Sequence, residues 1–592
     1  MNYTLNTQKT NTSGPKPSFL TAMRKLAPLL ATEKRNLVIA MIAIIVNSLA
    51  TLVAPIVVSH TVDTYIRLKN FHGVLLFSGI LVGIYLIGLV GGYLQTMIMG
   101  GVSRRVLFKL RNSIFTKLQE LPVAFFNQNK AGDLISRINN DTDRLNMFFS
   151  QGIMQFIGSF FLILGAGIFL LVINIRLGSA ALVPALCVLI FTQIISGWVK
   201  RRNLRSLQTV GGMSSEIQES LANFKVIVAF NRLDYFREKF HGVNESNFQA
   251  SVQSGIANNI FTPLYGLASM LAQLIVISYG ISLILNGHIT IGILIGYLLY
   301  VNNFYSPLRQ LAAIWASFQL ALAAFDRISE VLALESDMPI IIESETEKTR
   351  SASSAILRFD HVHFHYPNGV EVLGDINLEL LPGKTYALVG PTGGGKTTTA
   401  SLMARLFDPS EGTVLLSGHD IRTYTPKERT QKIGFILQEP FLFTGTVRDN
   451  ILYGNTELAG YTSVELLKVL EDANLSKLLA RFTEGLDTPV STSGNSVSLG
   501  QKQLIAFMRA VLRKPELLIL DEATANIDTV TEELLEEILA KLPATTTKVI
   551  IAHRLNTIRN ADQIFFINGG QITLAGDMEH AVEMLLHGKR NS

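Results

Sequence analysis

Six runs in the first 320 residues decide what this chain can fold into. Residues 37–60, 73–100, 151–175, 178–199, 257–285 and 290–320 are apolar almost throughout, and none of these cores contains Asp or Glu. Each can supply the roughly 20 apolar residues that an α-helix needs to cross ~30 Å of hydrocarbon. Inside a bilayer a backbone has no water to bond to, so such runs must be helices. Buried helices of a soluble protein would instead carry polar stripes at helical period. Composition agrees: 48% of residues are hydrophobic, 16% are charged, and mean hydropathy is +0.33. At 592 residues the chain also exceeds a single core and requires several domains.

Charge placement orients the spans. Segment 101–148 carries Arg104, Arg105, Lys109, Arg111, Lys117, Lys130, Arg137 and Arg144, and segment 200–240 is similarly basic, whereas the connections near 61–72, 174–177 and 286–289 are short and nearly uncharged apart from Arg67, Lys69 and Arg176. Positive residues stay inside, so the two long basic segments and both termini are expected in the cytoplasm. "RRVLFKLRNSIFTKLQEL" (104–121) keeps helical apolar spacing, so spans two and three are expected to continue beyond the bilayer. Residues 1–16 read as a disordered cytoplasmic tail, and 18–30 as an interfacial amphipathic helix. The domains expected are a six-helix transmembrane domain over 17–334, a polar linker over 335–356 and a nucleotide-binding domain over 357–592. Cys187 is the single cysteine, so no disulfide forms within the chain.

From 357 onward short β-branched strands alternate with helices. "TYALVGPTGGGKTTTASLMARLF" (385–407) reads strand, glycine loop, helix, with Gly390, Gly395, Lys396 and Thr397 at P-loop spacing. Glycines let backbone N–H groups curl around phosphate, and a helix N-terminus adds positive potential. The cradle is Gly390, Pro391, Thr392, Gly393, Gly394, Gly395, Lys396, Thr397 and Thr398, with Lys396 directed at the β- and γ-phosphates of ATP and the Thr397 hydroxyl available to Mg²⁺. "ELLILDEATANID" (516–528) is a buried strand ending in Asp521, placed to hold the metal. Glu522 follows, placed to polarise an attacking water as general base.

These motifs, in this order, resemble the ATP-binding cassette (ABC) exporter family over nearly the full chain. The fold class implied is an exporter-type all-α membrane domain followed by an α/β P-loop domain. The resemblance implies that Tyr366 stacks on adenine, that Gln438 contacts Mg²⁺ and attacking water, that His553 contacts the γ-phosphate, and that Asp528 crosses to a partner cassette. Segments 121–143 and 219–232 are similar to the family's two intracellular loops, whose short coupling helices press on the cassettes, one of them on the partner's.

One position departs from the family. Its signature loop is Leu-Ser-Gly-Gly-Gln, and here the matching residues are Val497, Ser498, Leu499, Gly500 and Gln501. In the family this loop faces the opposite subunit's triphosphate, where glycine permits close backbone approach. A leucine should crowd it and restrict the backbone. The chain therefore resembles the catalytic-glutamate-bearing subunit of a bacterial heterodimeric multidrug exporter in the plasma membrane. The partner expected is a second, non-identical half-transporter lacking the Glu522 equivalent. The alternative is a homodimeric lipid flippase or lipid exporter. Asn47, Met97, Phe160, Phe161, Asn302, Asn303, Phe304 and Phe318 are the candidate cavity residues for an amphipathic substrate, and no nucleic-acid partner is expected.

Overall fold

The computed structural model describes residues 3–5, 28, 31–341, 354–367, 369–491, 497–521, 529–551, 559–576 and 578–587. Nearly all of the expected interfacial helix at 18–30, and Glu522, Asp528 and His553, lie outside the described residues. The chain divides into two compact units: Leu5–Gln119 with Ala131–Ala333, and Met1–Thr4 with Glu120–Lys130 and Leu334–Ser592.

Among its described residues the first unit holds six helices long and apolar enough to cross a membrane. Its main elements are α1 (Lys34–Thr61), α2 (Phe71–Glu120), α4 (Ala131–Ser136), α5 (Thr142–Met147), α6 (Ile153–Ile173), α7 (Ile175–Ala222), α8 (Phe224–Ala229), α9 (Leu233–Asn259), α10 (Phe261–Leu285) and α11 (Ile291–Leu332); α3 (Val123–Gln128) belongs to the other unit. At 50 residues α2 is ~75 Å long, more than twice the hydrocarbon thickness. The continuation of span two past the bilayer is therefore present as one helix.

Buried polar groups hold the spans together, because hydrocarbon leaves them no other partner. Three tyrosines of α11 donate their hydroxyls to backbone carbonyls of three other spans: Tyr297 to Leu170 (2.7 Å), Tyr300 to Leu52 (2.6 Å) and Tyr305 to Ala181 (2.8 Å). Proline supplies one further acceptor. Pro55 inside α1 has no N–H, so the carbonyl four residues back, Thr51, is freed, and the Asn303 amide donates to it at 3.3 Å. Of the expected cavity residues, Phe318 does not line a cavity. It is 1% exposed and its ring packs 5.2 Å from that of Phe148. An apolar ring with an aromatic partner gains more by burial than by facing an aqueous passage.

At the ends of the spans expected in the cytoplasm an ionic cluster joins α4 and the helical turn Arg137–Asp141 to α11. Arg137, 1% exposed, meets Asp133 (3.0 Å) and Glu330 (2.9 Å), while Arg327 meets Asp133 (2.6 Å) and Asp141 (3.2 Å). Arg111 of α2 reaches the same place, donating to Thr142 Oγ1 (3.1 Å) and Asp143 (2.9 Å). Removing one partner from a buried ionic cluster leaves an uncompensated charge, which costs about 3–5 kcal/mol. Arg137→Ala is therefore expected to lower the Tm of the purified protein clearly, and a Tm unchanged from wild type would count against a structural role for the cluster.

The second unit is built on a six-stranded sheet of order β12-β11-β3-β10-β9-β6, comprising β3 (Thr385–Val389), β6 (Ile433–Ile436), β9 (Leu517–Asp521), β10 (Thr547–Ile551), β11 (Gln563–Asn568) and β12 (Gln571–Gly576). All are parallel except β12. A four-stranded antiparallel sheet, β2-β1-β4-β5, lies beside it with β1 (Leu357–His365), β2 (Glu371–Leu380), β4 (Glu411–Leu416) and β5 (His419–Asp420), and the short strands β7 (Gly445–Thr446) and β8 (Pro489–Val490) pair with each other. β9 reads Leu-Leu-Ile-Leu-Asp and is buried at every position, as a central parallel strand must be. A helical part with α13 (Ser463–Asp472) and α14 (Leu499–Val511) has its own core, including Leu466, Leu470, Leu504 and Phe507.

Of the tail expected over residues 1–16, the structure describes residues 3–5. Tyr3 is buried, with its hydroxyl bonded to Asp337 at 2.6 Å. A lone aromatic with a satisfied hydroxyl can be held in place although the residues around it in sequence are polar.

Candidate nucleotide site

Parallel strands bring their C-terminal ends to one edge, where ligands of open α/β sheets bind. In register, Ile551 of β10 stands beside both Asp521 of β9 and Leu388 of β3, and Leu520 pairs with Ile436 of β6. The P-loop leaves β3, Asp521 ends β9, and Gln438 follows β6 in an exposed position on the same edge. The sheet order alone therefore gathers three of the sequence-predicted elements. Glu522 and His553 follow β9 and β10 in sequence.

The loop itself fits a polyphosphate. Gly390 adopts φ 147° with its α-carbon so close to β11 that a Cβ would sit 2.0 Å from the Ile567 carbonyl oxygen. Gly395 adopts φ 112°, where a Cβ would lie 2.8 Å from Leu373. Only glycine tolerates both demands. Pro391, Thr392 and Gly393 stay exposed, and Lys396 opens helix α12 (Lys396–Met403) at 5% exposure. Its Nζ donates to the carbonyls of Gly390 (2.9 Å) and Pro391 (3.0 Å), which holds the ammonium in the curl of the loop. Thr397 is exposed, and its Oγ1 donates to Asp521 Oδ1 at 3.4 Å. Hydroxyl and carboxylate oxygens are the donor set a small hard cation takes.

Tyr366 follows β1 at the mouth of the site. Its hydroxyl meets Thr398 Oγ1 at 3.1 Å, and its ring packs edge-on to Phe364 (4.9 Å) and Phe407 (5.5 Å). The aromatic expected at adenine is thus tied to the P-loop helix.

The signature segment begins α14. Ser498 and Gln501 form a capping box: Ser498 Oγ accepts from the Gln501 N–H (3.2 Å), and Gln501 Oε1 accepts from the Ser498 N–H (2.9 Å). Leu499 is the first helical residue and Gly500 the second. The expectation that leucine would restrict the backbone there is corrected by this placement. The first turn of a capped helix has ordinary right-handed dihedrals, which leucine adopts without cost. What remains is bulk, since the Leu499 side chain is 46% exposed at the start of the helix. Sequence reasoning missed Gln503 in the same helix. It is 1% exposed, and both its amide atoms lack a partner among the described residues, a burial that no spacing signal announces.

Comparison with known proteins decides the family. Residues 37–308 match the family described as "ABC transporter transmembrane region", and residues 373–525 match "ABC transporter". A Bacillus subtilis protein named "Uncharacterized ABC transporter ATP-binding protein YfiC" is 32% identical over 95% of this chain and 92% of its own length. The chain belongs to the ABC transporters. It is an ABC exporter half-transporter: a transmembrane region of six helices and one ATP-binding cassette, an integral plasma-membrane protein with its cassette in the cytoplasm that couples ATP hydrolysis to transport. Two further relatives of this exporter carry substrate names. The "Fatty acid ABC transporter ATP-binding/permease protein" of Mycobacterium tuberculosis is 31% identical over 83% of this chain and 77% of its own length. The "Multidrug resistance ABC transporter ATP-binding and permease protein" of Lactococcus lactis is 30% identical over 91% and 90%.

Proposed function

We propose that this half-transporter works as one side of an asymmetric heterodimer that exports amphipathic compounds at the expense of ATP. The observation that carries the reading is Leu499. The capping box keeps the α14 N–H groups aimed along the helix axis, while an exposed branched side chain stands beside them. A triphosphate on a facing P-loop would meet that side chain before it met the backbone. This chain's own Gly390–Thr398 cradle has no such obstacle. The productive site is then this P-loop with a partner's intact signature loop; the second site pairs Leu499 with the partner's P-loop and turns over slowly. Thr397 and Asp521, with Gln438, are assigned to Mg²⁺, which would neutralise phosphate charge. Tyr366, Ser498, Gly500, Gln501 and Asp528 are assigned to nucleotide contacts, and Gln438, Glu522 and His553 to catalysis.

A partner is also called for by exposed apolar surface. α7 and α9 pack on each other and end in the short tip helix α8, whose Phe224, Val226 and Val228 are exposed. On the cassette, Leu437, Phe441 and Phe443 are exposed at a cavity of about 210 Å³ beside Arg509 and Arg513. Patches of this kind mark interfaces. A charge buried without a partner in such an interface costs several kcal/mol. Val226→Asp is expected to dissociate the complex, seen as a halved mass in size-exclusion chromatography with light scattering. An intact, active complex would remove α8 from the interface.

For the substrate, the relatives' names point to apolar and amphipathic molecules, and the span cores lack acids that would bind a cation or relay protons. A homodimeric lipid exporter is the second reading, favoured by the fatty-acid name of one relative. Purifying the native complex and assaying ATPase, dye efflux and lipid flipping separates the two. Full activity from this chain alone, with flipping of labelled lipid, selects the second.

A further inference from the structure

Tyr3 makes more contacts than a tail residue needs. Its N–H donates to Gln128 Oε1 (2.8 Å), and its carbonyl accepts from Asn129 Nδ2 (2.9 Å), which also donates to the Phe125 carbonyl at the start of the same helix (2.8 Å). Its ring meets Phe125 edge-on, with centroids 6.2 Å apart. Its hydroxyl leaves α3 altogether: it donates to Asp337 Oδ1 (2.6 Å) and accepts from the Asp337 N–H (2.8 Å). One residue thus joins the segment between spans two and three to the segment that leads from the last span into the cassette.

That second segment is itself tied to the P-loop helix. The Pro339 carbonyl accepts from Arg405 Nη2 (2.8 Å), and the Ile341 N–H donates to the Arg422 carbonyl (3.1 Å). Arg405 lies two residues beyond the end of α12, is 3% exposed, and is fixed by Asp408 (2.8 Å). Contacts therefore run without a gap from Lys396 at the start of α12, through Arg405, Pro339, Asp337 and Tyr3, to α3. Burial and the Asp337 carboxylate push the Tyr3 phenol well above its usual range, so it stays a neutral donor at any physiological pH.

We propose that Tyr3 is a positioning residue for energy coupling, clipping α3 to the linker so that displacement of the P-loop helix is delivered to α3 as a unit. This rests on the reading of segment 121–143 as a coupling loop, with α3 taken as its coupling helix. A hydrogen bond to a carboxylate is among the stronger ones in proteins, so its loss should free α3 measurably without touching nucleotide.

The test is amide hydrogen exchange over residues 123–130 in the intact complex, with and without ATP and vanadate. In wild type, ATP is expected to change exchange over this segment. In Tyr3→Phe, which keeps the ring and loses the hydroxyl, and in Asp337→Ala, the ATP-dependent change is expected to shrink about tenfold while ATP affinity stays within twofold. Asp337→Asn keeps an acceptor oxygen and is expected to restore most of the response. A response that survives both Tyr3→Phe and Tyr3→Ala overturns the strap alone. A wild-type complex whose α3 ignores ATP overturns the coupling-helix reading and the strap with it.

Discussion

Glu522→Gln is expected to lower ATP hydrolysis by the native complex by roughly 10²- to 10⁴-fold, the usual contribution of a positioned general base, while ATP binding persists. The reasoning starts from β9. Five buried apolar-to-acidic residues end in Asp521, whose Oδ1 is 3.4 Å from Thr397 Oγ1, so the strand's last residue is committed to the P-loop side of the site. The next residue in the chain is the first that can serve water instead of metal. Glutamine has nearly the same size and keeps hydrogen bonding, but it cannot take a proton at neutral pH. Binding and chemistry should therefore separate, with nucleotide still retained and turnover lost. Measured by steady-state ATPase and by equilibrium binding of labelled ATP, undiminished hydrolysis would remove Glu522 from that role.

Lys396→Ala is expected to have an effect as large, and an asymmetric one. The ammonium sits in the loop at 2.9 Å and 3.0 Å from two of its carbonyls, poised to exchange those bonds for phosphate oxygens. Its removal takes away an ammonium held in the curl, so ATP at this cassette loses both affinity and positioning. If the productive site is built on this P-loop, the complex should lose about a hundredfold or more of its ATPase and all of its transport. The same substitution in the partner should cost only a few-fold, because the site facing Leu499 contributes little turnover. Equal losses from the two substitutions would mean that the two sites work alike.

The two halves of the molecule were legible in sequence for different reasons. The spans declared themselves because a bilayer demands length and uninterrupted apolarity, and α2 shows both before its basic continuation. The P-loop declared itself because Gly390 and Gly395 occupy backbone conformations closed to other residues, which fixes their spacing. What stayed hidden depends on contacts between distant residues. Arg137 and Glu330 are 193 positions apart, and Tyr3 and Asp337 are 334 apart, and nothing in local pattern pairs them. Phe318 looked like a cavity residue because an aromatic in a span reads the same whether it faces a passage or another ring. At Leu499 sequence comparison with the signature loop located the anomaly, but only the helix cap shows that its effect is bulk and not backbone strain.

The asymmetry can be measured directly by counting nucleotides trapped in the native complex by vanadate, which captures only sites that have hydrolysed. One trapped nucleotide per pair of cassettes is expected, photocrosslinking to the P-loop of this chain. Two per pair, shared equally between cassettes, or an equally active complex made of two copies of this chain, would contradict it.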